Sequence, residues 1–183
     1  MKTLVIMRGL PGAGKSTLVS KLEEEYNATA VVCSADDYFY FGKEKVPENY
    51  KFDRALLGKA HGYCKYTASK AIENNAELII IDNTNINLRD FKFYVLTSAE
   101  RGYTVVSHAI TGMSPEESHK LNVHDVPLEA CARMYHAYDK CPRKILGKDN
   151  FVVEVQEFKH DYKWLRKGIM NNGSFSKNKV KHG

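Results

Sequence analysis

Short apolar runs alternate along the chain with stretches in which apolar residues recur every third or fourth position. The apolar runs predict strands at 4–7, 28–33, 78–81, 103–110 and 151–155. The helical spacing predicts helices around 18–26, over 52–74 and 88–101, from Ser114 onward and over 128–140. Because strands and helices alternate in this way, the pattern predicts an α/β fold with a five-stranded parallel sheet and helices on both faces.

The first strand leads into a glycine-rich turn that has the spacing of a phosphate-binding loop. Residues 9–17 read Gly-Leu-Pro-Gly-Ala-Gly-Lys-Ser-Thr and fit the pattern G-x-x-x-x-G-K-[ST] between a strand and a helix. In such a P-loop the backbone N–H groups point at the phosphates of a nucleoside triphosphate. The predicted ATP-binding residues are Gly9, Pro11, Gly12, Ala13, Gly14, Lys15, Ser16 and Thr17.

Two further polar clusters follow the second and third predicted strands, where ligands bind in parallel sheets. Phosphoryl transfer needs one carboxylate to accept the proton of the attacking hydroxyl and another to organise Mg²⁺. Asp36 and Asp82 are the candidates, whereas Asp37 fits a turn or cap. Lys15 is predicted to contact the β- and γ-phosphates and Ser16 to bind the metal, so ATP and Mg²⁺ are the predicted cofactors.

Taken together, these motifs resemble those of a known enzyme family. The P-loop, then Ser-Ala-Asp-Asp-Tyr-Phe at 34–39, then Ile-Asp-Asn-Thr-Asn at 81–85 resembles the polynucleotide 5′-hydroxyl kinase family of P-loop kinases over residues 3–140. The branch most similar to this chain has Ala-His in the second helix, here at 60–61, and Asn-x-His-x-Val-Pro further on, here at 122–127.

The resemblance implies roles for residues beyond the P-loop. Asp36 would be the general base and Asp82 would assist with Mg²⁺. The residues implied to lie along the acceptor site are Asn83, Thr84, Asn85 and His61, to which Phe39 is added from its place after the Asp-Asp-Tyr motif. A short lid, here with Lys120 and His124, would bring positive charge onto the transferred phosphate.

The chain also departs from this family. Viral polynucleotide kinases carry an arginine shortly after Asp-Asp-Tyr, where this chain has Phe39, and their lid contains arginines. His61 has two interpretations, a packing residue of the helix or a residue along the acceptor cleft. Aromatic residues of the segment 38–50 could stack on a nucleobase or pack against their own core.

The function predicted from these residues is ATP-dependent transfer of the γ-phosphoryl group to a hydroxyl of a nucleic acid, most simply a 5′-hydroxyl end. One alternative keeps the kinase chemistry but changes the acceptor to a small metabolite, a nucleoside or a hydroxylated base in DNA. Another alternative is a nucleotide-binding module with little transfer activity. Phe39 in place of the arginine favours a different acceptor, and the lid without arginines favours a binding module. Asp36 favours an enzyme, because a binding module needs no base.

Length and charge give the broader expectations. The 183 residues fit one P-loop kinase domain, 1–158, and a basic extension, 159–183, with seven Lys and Arg residues against one Asp. The net charge of +5 fits a polyanionic partner, although a solvated tail explains the extension equally well. Four cysteines without metal-ligand spacing and the absence of a bilayer-length apolar run predict a cytoplasmic protein with no membrane association. The oligomeric state stays open.

Overall fold

The computed structural model describes residues 1–138 and the backbone of 153–159. Its strands are β1 (Thr3–Arg8), β2 (Ala30–Cys33), β3 (Leu78–Asp82), β4 (Thr104–Thr111) and β5 (Val153–Lys159). Its helices are α1 (Lys15–Tyr26), α2 (Leu57–Glu73), α3 (Leu88–Ala99), α4 (Pro115–Leu121) and α5 (Leu128–Ala137). Three short 3₁₀ turns lie between β2 and α2, at Asp36–Tyr40, Pro47–Asn49 and Arg54–Leu56. Most of the basic extension and the predicted helix end at 139–140 lie outside the described residues.

The strands form one parallel sheet in the order β2-β3-β1-β4-β5. β1 lies at its centre, where Thr3 pairs with Leu78 of β3 on one side and with Thr104 of β4 on the other. β1 is buried along its whole length, as a central strand must be when both faces are covered. The predicted α/β fold with a parallel sheet and helices is therefore confirmed. β5 extends the sheet by pairing with β4 from Val153 to Lys159.

Alternating side chains of the central strands fill two separate cores. Leu4 and Ile6 pack on the side of α2 and α3, together with Phe91 and Tyr94. Their neighbours in β1 and β3 point to the opposite face, in a cluster that α1 completes with two leucines: Val5, Met7, Leu18, Leu22, Leu78 and Ile80. Both faces of the sheet are thus covered by helices, as the continuous apolar runs predict.

Local hydrogen bonds explain where the helices differ from the predicted bounds. The helix predicted over 52–74 begins only at Leu57, because the Asp53 side chain accepts from the Ala55 N–H and starts a 3₁₀ turn first. The helix predicted over 88–101 ends at Ala99, and its start carries a capping box between Asn87 and Asp90. None of the helices within the described residues combines the length and apolar character that crossing a bilayer requires.

A buried arginine fixes the end of β1 just before the P-loop. The side chain of Arg8 is 1% exposed, and it donates from Nε to the Asn85 carbonyl at 2.9 Å and from Nη2 to the Ile86 carbonyl at 3.0 Å. Its guanidinium lies between the rings of Phe91, at 4.9 Å, and Tyr138, at 4.7 Å. This network joins β1, the segment after β3 and the end of α5, so it holds together the edge of the sheet that carries the P-loop.

Candidate active site at the carboxyl edge of the sheet

The P-loop takes its shape from glycines in left-handed backbone conformations. Gly14 lies directly before α1 with φ 87°, and Gly12 has φ 74°. A Cβ atom at Gly12 would lie 2.7 Å from the Asn122 nitrogen and 2.8 Å from the Leu121 carbonyl carbon. The end of α4 therefore packs against the P-loop backbone, and glycine at position 12 is what permits this close approach.

The Lys15 side chain lies folded back over the loop. Its ammonium group donates to the carbonyl oxygens of Leu10, at 2.9 Å, and Gly9, at 3.2 Å. Burial lowers the pKa of Lys15, and the negative charges of Asp82 and Asp36 oppose that shift. Lys15, the predicted base Asp36 and the predicted metal-binding residue Asp82 therefore lie close enough to act on one another electrostatically.

Asp82 and Ser16 form the oxygen pair that the sequence predicts for a metal. Asp82 ends β3, beside Met7 of β1, and the Ser16 hydroxyl donates to its Oδ2 at 2.8 Å. Burial raises the pKa of Asp82, while Lys15 and the Ser16 hydrogen bond act in the other direction. Mg²⁺ prefers oxygen ligands and usually keeps several waters and substrate phosphates, so this donor set fits it. Within residues 1–138 no cluster of three His, Cys, Asp or Glu side chains offers a self-sufficient metal site.

Asp36 and Asp37 are neighbours in sequence with different surroundings. Asp36 opens the 3₁₀ turn after β2, and 48% of its side chain is exposed. Its Oδ1 accepts from the Tyr50 hydroxyl at 3.0 Å, and its Oδ2 lies 3.8 Å from Nε2 of His124. Asp37 instead forms a 2.7 Å ion pair with Lys45 and is only 19% exposed. Of the two carboxylates, Asp36 is the more exposed, and its predicted role as the base stays a prediction.

The residues after β3 hold strand ends together. Asn83 accepts from the Ala35 N–H at 2.8 Å and donates to Sγ of Cys64 at 3.3 Å. The Thr84 carbonyl accepts from the Gly9 N–H at 3.0 Å. The contacts of Asn85 do not support its predicted role in acceptor binding, because it is 2% exposed and its amide donates to the Met7 carbonyl at 2.7 Å.

Phe39 and His61 do not have the surroundings expected of residues that bind an acceptor. Phe39 is fully buried in the core beside α2, with its ring centroid 5.9 Å from that of Tyr50 and 5.1 Å from that of Phe52. A ring enclosed in this way cannot stack on a substrate base, so its role is to pack the loop. His61 is exposed on α2, and no hydrogen bond or ion pair links it to the site within the described residues.

The predicted lid is built on α4 and the short loop after it. The capping box of Ser114 and Glu117 starts α4, and the Ser118 hydroxyl donates to the Pro11 carbonyl of the P-loop at 2.8 Å. Lys120 is exposed on this helix. The loop 122–127 brings His124 to Asp36, whereas α4 itself rests on the P-loop.

Three contributing residues were not singled out from the sequence. Tyr50 appears there only as a member of the aromatic segment, and Asn122 only as the start of a motif. Ser118 carries no sequence signal, because its partner, Pro11, is 107 residues away along the chain. Their contacts depend on how the loops fold against one another, which local patterns do not encode.

The strand, P-loop and helix, together with the parallel sheet behind them, define a P-loop protein with a kinase-like fold. The chain belongs to the AAA domain family, whose profile matches residues 4–136.

Individual curated proteins are also similar to parts of this chain. Human NEDD4-binding protein 2 is 38% identical over 140 residues, which is 75% of this chain and 8% of that protein. The rat 2′,3′-cyclic-nucleotide 3′-phosphodiesterase is 33% identical over 84 residues, or 46% of this chain and 18% of that one. The chain thus spans only a small part of these relatives.

Two solved structures share the fold at low sequence identity. One is the structure of the Pnkp1/Rnl/Hen1 RNA repair complex, with a TM-score of 0.56 and 18% identity over 82% of this chain and 47% of the other. The second is a gluconokinase from Sinorhizobium meliloti 1021, with a TM-score of 0.50 and 14% identity over 91% and 89% of the two chains. At these identities the likeness shows the fold alone.

Proposed function

We propose that the chain is an ATP-dependent phosphotransferase that transfers the γ-phosphoryl group to a hydroxyl of a nucleic acid, most simply a 5′-hydroxyl end. The observation that carries this proposal is the convergence of Lys15, the Ser16–Asp82 pair and an exposed Asp36 at one edge of the sheet. A module that only binds nucleotide has no use for an accessible carboxylate beside its phosphate site.

Each residue has a defined part in the proposed reaction. The acceptor oxygen attacks the γ-phosphorus, the bond to the β,γ-bridging oxygen breaks, and ADP leaves. Asp36 accepts the hydroxyl proton, and Lys15 stabilises the negative charge that develops on the phosphates. Ser16 and Asp82 would hold Mg²⁺, which supplies charge neutralisation of the β- and γ-phosphate oxygens when bound.

A groove in the segment after β2 supports a nucleic-acid acceptor. Its volume is about 480 Å³, and Asp37, which forms the ion pair with Lys45, is one of its lining residues. Aromatic and basic side chains line it, namely Tyr38, Tyr40, Phe41, Tyr63, Lys43 and Lys45. Exposed rings offer faces for bases to stack on, at about 1–3 kcal/mol per base, and lysines attract backbone phosphates.

A small-molecule acceptor is the second candidate. Phe39 stands where the resembling viral kinases carry an arginine for the acceptor phosphate, and it is enclosed in the core. The chain therefore lacks that arginine contact at this position, which a small hydroxylated metabolite or a nucleoside would not need.

Transfer of label from [γ-³²P]ATP to a panel of acceptors tests the proposal. The panel contains DNA and RNA oligonucleotides with a 5′-hydroxyl, the same oligonucleotides with a 5′-phosphate, nucleosides, simple sugars, and water alone. The proposal predicts label only on the 5′-hydroxyl oligonucleotides. Label on nucleosides or sugars would favour the second candidate, and ATP binding without label on any acceptor would favour a binding module.

A further inference from the structure

The two oxygens of the Asp36 carboxylate have different neighbours. Oδ1 accepts the Tyr50 hydroxyl at 3.0 Å, which is hydrogen-bonding distance. Oδ2 lies 3.8 Å from Nε2 of His124, too far for a hydrogen bond but near enough for an ion pair. A general base must come within about 2.6–3.2 Å of the hydroxyl whose proton it accepts. Among the described residues no side chain donates a hydrogen bond to Oδ2, so Oδ2 is the oxygen to which an acceptor hydroxyl can donate.

Tyr50 is well suited to hold the other oxygen. Burial raises the pKa of Tyr50, and the charge and hydrogen bond of Asp36 raise it further, so its hydroxyl stays protonated and donates. The ring is fixed by two aromatic neighbours, with its centroid 5.9 Å from that of Phe39 and 5.3 Å from that of Tyr40. Phe39 thus contributes to the site indirectly, because it packs against the ring of Tyr50 from the core.

His124 covers the outer face of Tyr50. The two rings stack with centroids 4.3 Å apart and planes 29° from parallel. The loop that carries His124 is closed by Asn122, whose amide nitrogen donates to the carbonyls of His119 at 2.8 Å and Ser118 at 3.0 Å. The Asn122 amide oxygen accepts from the Val126 N–H at 2.7 Å. One side chain therefore ties both ends of a loop of six residues.

The same loop is anchored to the phosphate site. Ser118 donates to the Pro11 carbonyl, and the backbone of Leu121 and Asn122 packs against Gly12. A continuous set of contacts runs from the P-loop through α4 and Asn122 to His124, then to Tyr50 and finally to Asp36. These contacts fix the position of the Asp36 carboxylate relative to the P-loop, which would hold the transferred phosphate.

We propose that Tyr50 and His124 are the positioning residues of Asp36. Tyr50 holds Oδ1 so that Oδ2 faces the acceptor hydroxyl, and His124 acts through its ring by clamping Tyr50 against the core. This inference rests on the proposed function, in which Asp36 is the base. It goes beyond that function by giving the loop 122–127 a mechanical role that does not depend on the charge of His124.

Tyr50→Phe tests the hydroxyl, because it keeps the ring and its packing. The expected result is a fall of about 10- to 100-fold in kcat for transfer, with KM for ATP unchanged, since misplacing a reacting group by about 1 Å costs up to 10²-fold. Tyr66→Phe is the matched control, because it removes a hydroxyl from an exposed tyrosine of α2 that contacts neither Asp36 nor the acceptor groove. Equal kcat values for wild type, Tyr50→Phe and Tyr66→Phe would overturn the inference.

A pair of substitutions at His124 separates the ring from its charge. His124→Phe keeps a ring that can stack on Tyr50, and it should retain most of the wild-type kcat. His124→Ala removes the stack and should lose about as much kcat as Tyr50→Phe. If His124→Phe falls as far as His124→Ala, the ring nitrogens of His124 matter more than its stacking, and the positioning role assigned to the ring is wrong.

A measurement without turnover checks the contact itself. The tyrosine Cζ resonance that disappears in Tyr50→Phe is followed by ¹³C NMR in Asp36→Asn and in Asp37→Asn, at neutral pH. It should move in Asp36→Asn and stay in place in Asp37→Asn. An unmoved resonance in Asp36→Asn overturns the inference while leaving the proposed function standing if wild type is active. A wild type inactive on every acceptor overturns the proposed function, and with it the positioning role.

Discussion

At the scale of single residues, the side chains proposed to act on phosphate are distinct from those that pack the core. Lys15 lies on the P-loop with its ammonium group on two loop carbonyls, and it contributes no apolar core. Lys15→Met should therefore lower kcat at saturating ATP by at least about 10²-fold, the usual cost of losing one charge-stabilising group. Thermal unfolding of the variant should match wild type. Near-normal turnover would show that the P-loop lysine does not take part in transfer.

Phe39 offers a second residue-scale test, because packing and acceptor binding predict opposite results. Removing a fully buried phenyl ring leaves a cavity, so Phe39→Ala should lose about 3–5 kcal/mol of unfolding free energy in urea denaturation. A side chain that touched the acceptor instead would raise the acceptor KM with little change in stability. That second pattern would contradict the burial of Phe39.

At the scale of elements, the close approach of α4 to the P-loop is a feature that the sequence does not predict. Gly12→Ala would place a methyl group within 3 Å of the backbone at Leu121 and Asn122 and would also strain a residue with φ 74°. We expect a loss of at least about 1–3 kcal/mol in unfolding free energy and weaker ATP binding by calorimetry.

A glycine of α2 provides the matched control for Gly12. Gly62 lies in the interior of α2 and has nothing within 4 Å of an added Cβ. Gly62→Ala should stabilise the protein by about 0.5–1 kcal/mol, because alanine loses less backbone entropy in a helix. If Gly12→Ala were as stable as wild type, α4 would not rest on the P-loop in solution.

Features that depend on local sequence patterns could be predicted, whereas features that depend on packing between distant segments could not. The strands that line the P-loop and the loop itself were predictable, since each depends on apolar runs or on a motif of adjacent residues. The burial of Asn85 and the contacts among Asp36, Tyr50 and His124 could not be predicted in this way. These three residues come from segments up to 88 positions apart in the sequence, and only the packed loops bring them together.

At the scale of the whole molecule, the basic extension bears on the choice of acceptor. Cutting the chain after Lys167 removes Lys177, Lys179 and Lys181 and leaves Trp164 in place. If these lysines contact acceptor phosphates, KM for long oligonucleotides should rise and the salt slope of binding should flatten by roughly one unit per lost contact. ATP kinetics should hold. An unchanged salt response would make the extension a solvated tail and remove its support for a polynucleotide acceptor.

The most direct test of the central claim is single-turnover transfer from ATP to a 5′-hydroxyl oligonucleotide by wild type, Asp36→Asn and Asp37→Asn. Asparagine keeps the size of the side chain but cannot accept the proton, so Asp36→Asn should slow transfer by about 10²–10⁴-fold with ATP affinity unchanged. Asp37→Asn loses only its ion pair with Lys45 and should stay within a few-fold of wild type. Equal losses at both positions, or a larger loss at Asp37, would contradict the assignment of Asp36 as the base.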